Sequence, residues 1–348
     1  MKPEDQLNTH SPDDRAAAAA KAGDEAAFTS LTRRYRRELH VHCYRMLASF
    51  EDAEDLVQET FLRAWQKRET FQGRASFRAW LYRIATNACL DFLARQERRV
   101  IEISTRGDAE SGQATAPHLA WLQPYPDRLI EKAGDAAADP HAAIVRKETI
   151  ELAYLIAIQY LPPRQRAVLI LRDVLDWSAS ETAALLDSSV PAVNGALQRA
   201  RATLRQRSPR RDDLAAPRAS LPEEEQLLVQ QYVDATERCD AAALTRMLSR
   251  DALFTMPPAP MAFAGNEAVV RSWVEGGFGK PPFDQFKCLL TRANGMSAVA
   301  NYIRRPGESH YSAFALDVLR IENGTIAEVT AFELEGLIDA FAIPRILS

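Results

Sequence analysis

Two stretches of the chain concentrate basic side chains in a way that could hold a polyanion. Arg63–Arg99 carries nine Lys and Arg against three Asp and Glu, and Ser188–Arg211 carries six Arg and no acid. Basic side chains neutralise backbone phosphates, and aromatic side chains among them can stack on unpaired bases. Aromatic residues near the centre of the first stretch are Phe71, Phe77, Trp80 and Tyr82. The pattern favours a nucleic acid held at two places, with an ordinary solvated charged face as the alternative.

A third segment is acidic. Periodicity predicts a helix over Glu51–Lys67, and five of its first nine residues are Asp or Glu. Its apolar stripe would face a core, which leaves an acidic outer face that includes Leu62. A solvated face has no need of an exposed leucine, which favours a binding role for this face, with simple solvation as the alternative. The residues of this face are Asp52, Asp55, Gln58, Glu59 and Leu62.

Two short helices joined by a tight turn lie near the second basic stretch. The residue pattern predicts the first helix over Trp177–Leu186, and Ser188 or Ser189 would cap the second one. The buried stripe of the second helix is then Val193, Leu197, Ala200 and Leu204. Its outer face offers small residues, amides that can pair with adenine edges and an arginine for phosphate, namely Ala192, Asn194, Gly195, Gln198 and Arg199. This is a helix-turn-helix pattern.

The sequence offers little for metal, nucleotide or redox chemistry. It contains no Walker motif, dinucleotide-binding glycine motif or H-E-x-x-H motif. His40 and His42, two residues apart on a helix, would face different sides. The four cysteines are scattered without a C-x-x-C pair: Cys43, Cys89, Cys239 and Cys288. We expect no metal and no cofactor.

The 348 residues, 47% of them hydrophobic and 26% charged, suit a soluble chain of two or three domains. No apolar run approaches the roughly 18 residues of a spanning helix, and the first residues lack a signal-peptide core. We therefore expect a cytoplasmic protein without membrane contact. The net charge of −4 divides into −6 from Leu221 onward and +2 before it.

Breaks in periodicity divide the chain into segments. Gly and Pro interrupt the pattern after residue 100, which predicts a linker, although Trp121–Asp127 is too aromatic for a passive spacer and should dock on something. The predicted segments are a flexible N-terminus (1–20), a helical bundle (21–100), a linker (101–143), the helix-turn-helix domain (144–207), a second linker (208–220) and a C-terminal domain (221–348).

The C-terminal segment changes from all-helical to α+β patterning. Two amphipathic helices precede segments typical of strands, and Asn323–Gly324 predicts a hairpin turn. Helices followed by a curved antiparallel sheet predict an α+β cone. Such a cone could enclose a pocket, in which Asp240, His310 or Asp317 could act as acid or base, but no paired acid stands out. The residues we place at this pocket are Trp273, Tyr302, His310 and Asp317.

Several motifs resemble those of sigma-70 family factors. Asp52–Trp65 (DAEDLVQETFLRAW) resembles region 2.2, and Phe77–Asn87 (FRAWLYRIATN) resembles regions 2.3 and 2.4. Leu161–Val168 (LPPRQRAV), Ser180–Ala183 (SETA) and Val193–Arg201 (VNGALQRAR) resemble region 4. Their order, without a region 3, resembles the extracytoplasmic-function group. The C-terminal segment resembles the SnoaL-like cone to which some such factors are fused.

The resemblance implies an alternative sigma factor with two all-α domains and a SnoaL-like α+β cone. In this family, region 2.2 docks on the β′ clamp helices of core RNA polymerase, which assigns that role to the acidic face above. Region 4 works near the β flap. The residues implied for the −10 promoter element are Arg74, Arg78, Trp80, Arg83 and Asn87. Those implied for the −35 element are Ser189, Ala192, Asn194, Gln198, Arg199 and Arg201.

Region 4 departs from the common family pattern, which has a lysine and an arginine where this chain has Asn194 and Ala196. Because of this departure, the resemblance does not define which −35 sequence this helix reads. The fused domain is regulatory in such factors, so we expect it to modulate activity through a small-molecule ligand or a regulatory protein, and we expect no enzyme.

Two other functions remain as alternatives. A one-component regulator would bind operator DNA through its helix-turn-helix and a ligand through its cone, and it would not need core polymerase. An enzyme would turn over a small substrate in the C-terminal domain, with Asp317 or His310 as the reacting group.

Overall fold

The computed structural model describes residues 12–73, 76–104, 121–131, 152–207, 223–259 and 262–348. The chain divides into two compact units, Met1–Glu110 with Leu155–Asp213 and Ser111–Tyr154 with Leu214–Ser348. None of the helices in the described ranges combines the length and the apolar character that a membrane crossing requires.

The first unit begins with a helical bundle that contains α1 (Pro12–Lys21), α2 (Glu25–Leu47), α3 (Phe50–Gln66) and α4 (Phe77–Ser104). Side-chain caps fix two of the helix starts. The Asp24 carboxylate accepts a hydrogen bond from the Ala27 N–H, and the Ser49 hydroxyl accepts one from the Asp52 N–H. The apolar positions spaced by three and four face inward, as the sequence predicts.

The prediction of a flexible N-terminus over residues 1–20 is wrong for its second half, because Pro12–Lys21 is helical. Two of its alanines are buried. The Asp13 carboxylate accepts hydrogen bonds from Arg34 Nη1 at 2.5 Å and from the Tyr35 hydroxyl. Alanine is the strongest helix former, and its small side chain lets this helix pack closely on α2. Residues 1–11 lie outside the described part of the chain.

The helix-turn-helix forms as predicted. Its helices are α5 (Leu152–Gln159), α6 (Pro163–Leu169), which continues into a π-helical turn (Ile170–Val174), α7 (Ala179–Leu185) and α8 (Val190–Arg207). The Ser189 hydroxyl accepts a hydrogen bond from the Ala192 N–H at 3.3 Å, so Ser189 caps α8. The predicted stripe of α8 is buried against the other helices.

A buried arginine joins α6 to the bundle. The Arg166 guanidinium donates hydrogen bonds to the carbonyl oxygens of Ile158 at 3.0 Å, Gln159 at 2.7 Å and Leu161 at 3.2 Å. It also donates to the carbonyl of Met46 at the end of α2. Carbonyls at helix ends lack hydrogen-bond donors within their own helix. The Arg166 side chain supplies the missing donors at the ends of two helices.

The second unit is an α+β domain with one mixed sheet. Its elements are α9 (Glu223–Glu237), α10 (Ala241–Met247), β1 (Leu248–Thr255), β2 (Ala262–Ala264), α11 (Asn266–Glu275), β3 (Phe286–Ala293), β4 (Met296–Ile303), β5 (Tyr311–Glu322), β6 (Thr325–Glu333) and β7 (Ile346–Leu347). The strand order is β2-β1-β6-β5-β4-β3, with β7 paired to β5. Only the β1–β6 pair is parallel among these strands. Asn323 and Gly324, both at positive φ, form the predicted hairpin turn between β5 and β6.

One face of this sheet packs against α9, α10 and α11. Tyr232 of α9 lies in a buried cluster with Val299, Leu319 and Val329 from three strands. This packing confirms the predicted α+β fold of the C-terminal segment, but the sheet is mixed and not wholly antiparallel as expected, because β1 pairs with β6 in parallel.

Candidate functional site

The outer face of α3 is acidic and carries an exposed apolar side chain. Asp55 and Gln58 are exposed, and Asp52 and Glu59 are half-buried. Leu62 is 57% exposed. The five residues predicted to dock a protein therefore share one accessible face.

Neighbouring groups tune the charge of this face. Burial raises the pKa of Asp52, the Ser49 hydroxyl opposes that shift, and the Asp55 carboxylate adds to it. The Glu59 carboxylate accepts a hydrogen bond from Arg63 Nη2 at 2.6 Å, one turn along the helix. The face presents a leucine among carboxylates, which fits a protein partner with basic and apolar side chains.

Arg78, predicted to contact DNA, has internal partners instead. Its Nε donates a hydrogen bond to Glu38 Oε2 at 3.0 Å, and its guanidinium lies 4.9 Å from the ring centroid of Tyr82 and 5.7 Å from that of Trp177. Glu38 is buried, so the pair neutralises a carboxylate that would be costly alone. Only 16% of the Arg78 side chain is exposed, so most of its guanidinium is occupied by these internal partners.

Other residues predicted for the −10 element lie around α4. Trp80 is half-buried, with its ring centroid 5.4 Å from that of Phe71 and 5.5 Å from that of Phe77. Asn87 is half-buried two turns further along α4. Arg74 lies outside the residues that the structure describes.

Arg83 is the most accessible of these predicted residues within the described part of α4. Its Nη2 donates hydrogen bonds to both carboxylate oxygens of Asp187, at 2.8 and 2.9 Å. Asp187 lies in the turn between α7 and α8 and has a positive φ of 48°. The predicted −10 surface and the helix-turn-helix therefore touch.

The recognition helix α8 presents its predicted residues outward. Ser189 acts as the cap, and the Arg201 guanidinium donates hydrogen bonds to the Asp173 carboxylate at 2.5 and 3.0 Å. Arg199 folds back over Gly195, where a Cβ would lie 3.4 Å from Arg199 Nη1. The other exposed positions are Ala192, Asn194 and Gln198. A helix of this kind can enter a major groove.

Asp317 belongs to a buried hydrogen-bond network in the C-terminal domain. Its Oδ2 accepts hydrogen bonds from the Tyr232 hydroxyl at 3.0 Å and from Asn301 Nδ2 at 2.6 Å. The Cys288 thiol donates to Asn301 Oδ1 at 3.2 Å. Burial raises the pKa of Asp317 to about 6, and its two hydrogen bonds oppose the shift. The network joins α9 to β3, β4 and β5.

The residues predicted to line one pocket do not converge, and the prediction is wrong for Tyr302. Asn301 and Tyr302 are consecutive in β4, so their side chains point to opposite faces of the sheet. The Tyr302 hydroxyl donates to the Pro344 carbonyl at 2.7 Å, away from the Asp317 network. Trp273 packs on the core under the helices, and His310 is half-buried just before β5.

The aromatic linker segment docks on the turn between β3 and β4, as expected for Trp121–Asp127. Asp127 Oδ1 accepts a hydrogen bond from the Gly295 N–H at 2.8 Å, and Oδ2 accepts one from Arg292 Nε at 3.1 Å. Asp127 is buried, so these partners satisfy a carboxylate that water does not reach.

The backbone of the same segment is held as well. The Tyr125 N–H donates to Asn294 Oδ1 at 2.8 Å, and the Asn294 N–H donates to the Tyr125 carbonyl at 2.9 Å. Arg128 Nε donates to the Ala340 carbonyl at 2.7 Å. We name these contacts of Tyr125–Arg128 the linker clasp.

A cavity of about 680 Å³ opens beside the linker clasp. Arg128 and Arg292 line it together with Leu227 of α9 and Leu290 of β3. Both leucines are more than half exposed. Asp127 and Glu223 line it too, so the cavity offers a ligand apolar walls and side chains of both charges.

Sequence reasoning missed the residues that hold these surfaces in place. Asn294–Gly295 carries the same Asn-Gly signal as the hairpin turn that was recognised, so the turn under the linker clasp could have been found. Arg166 and Asp187 could not, because their partners lie far away in sequence and no local pattern marks them.

Comparison with known proteins agrees with the geometry. A sigma-70 region 2 model matches residues 31–99, a sigma-70 region 4 model matches 152–204 and a SnoaL-like domain model matches 229–329. The chain is 39% identical over 335 residues to the ECF RNA polymerase sigma factor SigG of Mycobacterium tuberculosis, which covers 95% of this chain and 86% of that protein.

Two further comparisons cover about half and about nine tenths of the chain. The ECF RNA polymerase sigma factor SigW of Bacillus subtilis is 30% identical over 187 residues, 53% of this chain and 90% of that protein. The crystal structure of the extracytoplasmic function sigma factor SigJ of Mycobacterium tuberculosis covers 91% of this chain and 99% of its own, with a TM-score of 0.59 and 22% identity. It shares the fold.

Proposed function

Because the chain belongs to the extracytoplasmic-function family of RNA polymerase sigma factors, we propose that it binds core RNA polymerase and promoter DNA through exposed faces of α3, α4 and α8. The similarity to one such factor extends over 95% of the chain, including the C-terminal domain, which favours this function over a one-component regulator. We place its action in the cytoplasm, where RNA polymerase works.

The observation that carries the proposal is the exposure of Leu62 on the acidic face of α3. Burying a leucine side chain against a partner contributes roughly 1.5–3 kcal/mol. The exposed Asp55 carboxylate would steer a basic partner and fix its register. We assign this face to the β′ clamp helices of core polymerase, and we assign the helix-turn-helix to a position near the β flap.

We assign promoter contacts to side chains that are at least partly exposed, and we exclude Arg78, whose guanidinium is held by the buried Glu38 carboxylate. At the −10 element these are Arg83, Trp80 and Asn87. At the −35 element, Ala192, Asn194, Gln198 and Arg199 face the DNA, while Ser189 acts by capping α8. Arg201 reaches a phosphate only by exchanging its Asp173 partner, so it contributes less.

The C-terminal domain modulates this activity in our proposal. The linker clasp ties the segment that follows region 2 to the β3–β4 turn, so a molecule that loosens the clasp would free the linker. The cavity beside Leu227 and Leu290 is where a small ligand or a regulatory protein would act. The Asp317 carboxylate is occupied by its hydrogen bonds with Tyr232 and Asn301, and we assign it no catalytic role.

In vitro transcription tests the function directly. Purified core polymerase should give a promoter-specific transcript only when the full chain is added. A one-component regulator would instead bind its operator without core polymerase and give no transcript on its own with core. That result would overturn the proposal.

A further inference from the structure

The first half of the recognition helix α8 carries no charged side chain. Val190–Gln198 reads VPAVNGALQ. In a helix-turn-helix, this half of the second helix contacts the base edges. Arg and Lys are the side chains that most often read guanine, and neither is present here. Base recognition by this half must therefore come from amides and small apolar groups.

Two amides lie in the right place. Asn194 and Gln198 are both exposed, and a spacing of four residues puts them next to each other on the helix surface. A side-chain amide has both a donor and an acceptor, which match N7 and the N6 amino group of adenine in the major groove. Four residues rise about 6 Å along a helix, and base pairs are about 3.4 Å apart. The two amides can therefore reach bases about two steps apart.

The neighbouring residues suit a close approach of α8 to the bases. Gly195 lies between the two amides and adds no Cβ to the surface. The Arg199 side chain lies against Gly195, so its positive charge flanks the amides without blocking them. A guanidinium at this place can contact a phosphate at the edge of the groove.

We propose that Asn194 and Gln198 determine the specificity of the −35 contact by reading adenines at two positions about two base pairs apart. Arg199 anchors the backbone and adds affinity without base preference. This inference rests on the proposed function, since it assumes that α8 meets the −35 element when the chain is bound to core polymerase.

The test is a selection of promoter duplexes by the holoenzyme formed from core polymerase and the full chain. The duplexes are randomised over the −35 region. Wild-type protein should enrich adenine at two positions. Gln198→Ala should lower the preference at one of them by about five-fold or more, and Asn194→Ala should do so at the other, since a good bidentate pair discriminates by ~1–3 kcal/mol.

Two control variants on α8 separate specificity from affinity. Gln206→Ala removes an equally exposed amide beyond the reading half and should leave the selected sequences unchanged. Arg199→Ala should weaken binding to all duplexes alike and reduce the dependence of affinity on salt. Asn194 and Gln198 are exposed, so folding of their variants can be verified by an unchanged melting temperature.

The outcomes distinguish this inference from the proposed function. If the holoenzyme protects the −35 region but both amide variants keep the wild-type base preference, the inference is wrong and the proposed function stands. A guanine preference that disappears in Arg199→Ala would also overturn it, in favour of reading by arginine. If the holoenzyme leaves the −35 region unprotected, the proposed function fails and the inference fails with it.

Discussion

Arg83 of α4 donates two hydrogen bonds, 2.8 and 2.9 Å long, to the carboxylate of Asp187 in the turn of the helix-turn-helix. The pair links the surface proposed for the −10 element to the motif proposed for the −35 element within one compact unit. About half of the Arg83 side chain and two thirds of the Asp187 side chain are exposed, so water and salt screen their attraction. A phosphate could therefore replace Asp187 as the partner of Arg83 at little cost.

Asp187→Asn should leave the fold intact and free Arg83. Asparagine tolerates the positive φ of this turn position, and an exposed ion pair contributes up to about 1 kcal/mol. We expect the free energy of unfolding in urea to fall by less than that amount, while binding to single-stranded DNA at low salt becomes tighter. A loss above about 2 kcal/mol would show that the pair is a structural support.

Arg166 should be far more important for stability than its neighbour Arg164. Arg166→Leu leaves several buried carbonyls without their donor, and we expect a loss of more than about 3 kcal/mol in urea unfolding of the full chain. Arg164 lies two residues before Arg166 in the same helix, and its side chain is exposed. Arg164→Leu is the matched control and should change stability by less than about 0.5 kcal/mol. Equal losses of stability in Arg166→Leu and Arg164→Leu would contradict the buried connection that Arg166 makes between α6 and α2.

Asp317 should make the C-terminal domain less stable as pH rises from 4 to 7. Burial raises its pKa in the folded state to about 6 from an ordinary value of 3.8. The folded state therefore holds a proton that the unfolded state releases, so the stabilising contribution is full below pH 4 and is lost as pH rises through 6.

Asp317→Asn tests this dependence, because an amide oxygen can still accept from Tyr232 and Asn301. The free energies of unfolding of the variant and the wild type should diverge as pH rises, with the variant more stable at pH 7 by on the order of 2 kcal/mol. Asp339→Asn, at an exposed carboxylate, is the matched control for the removal of one negative charge. A difference between Asp317→Asn and wild type that stays constant with pH would contradict the assignment.

Asp127→Ala should open the linker clasp. The Gly295 N–H loses its acceptor, so its hydrogen exchange should become faster, and promoter output should change while affinity for core polymerase does not. Asp127→Asn keeps one oxygen for Gly295 but loses the charge that pairs with Arg292, so an intermediate exchange rate is expected. An unchanged hydrogen-exchange rate of the Gly295 N–H in Asp127→Ala would contradict the proposed linker clasp.

Much of the fold could be predicted from local patterns. Apolar spacings of three and four placed α3 and α8, and Ser189 could be named among the caps because serine at that position satisfies backbone N–H groups. The exposure of Leu62 followed from its place on the helix face. These features depend only on residues a few positions apart.

Features set by distant contacts could not be predicted. Arg78 lies in a basic and aromatic segment typical of a DNA contact, but its guanidinium pairs with the carboxylate of Glu38, 40 residues away in sequence. Tyr302 and Asp317 looked like partners in a pocket, but the pleat of β4 turns the Tyr302 side chain to the other face of the sheet. The helix at Pro12–Lys21 was missed because its stability comes from packing on α2 and not from a strong amphipathic pattern.

The most direct test of the central claim is the affinity of core RNA polymerase for the full chain and for Leu62→Asp. The account predicts that this variant binds core polymerase at least about ten-fold more weakly, since it removes a buried apolar contact and adds an acid. Leu227→Asp, which changes a similarly exposed helical leucine in the C-terminal domain, should bind as the wild type does. Equal affinity of Leu62→Asp and wild type would contradict the claim that α3 docks on the polymerase.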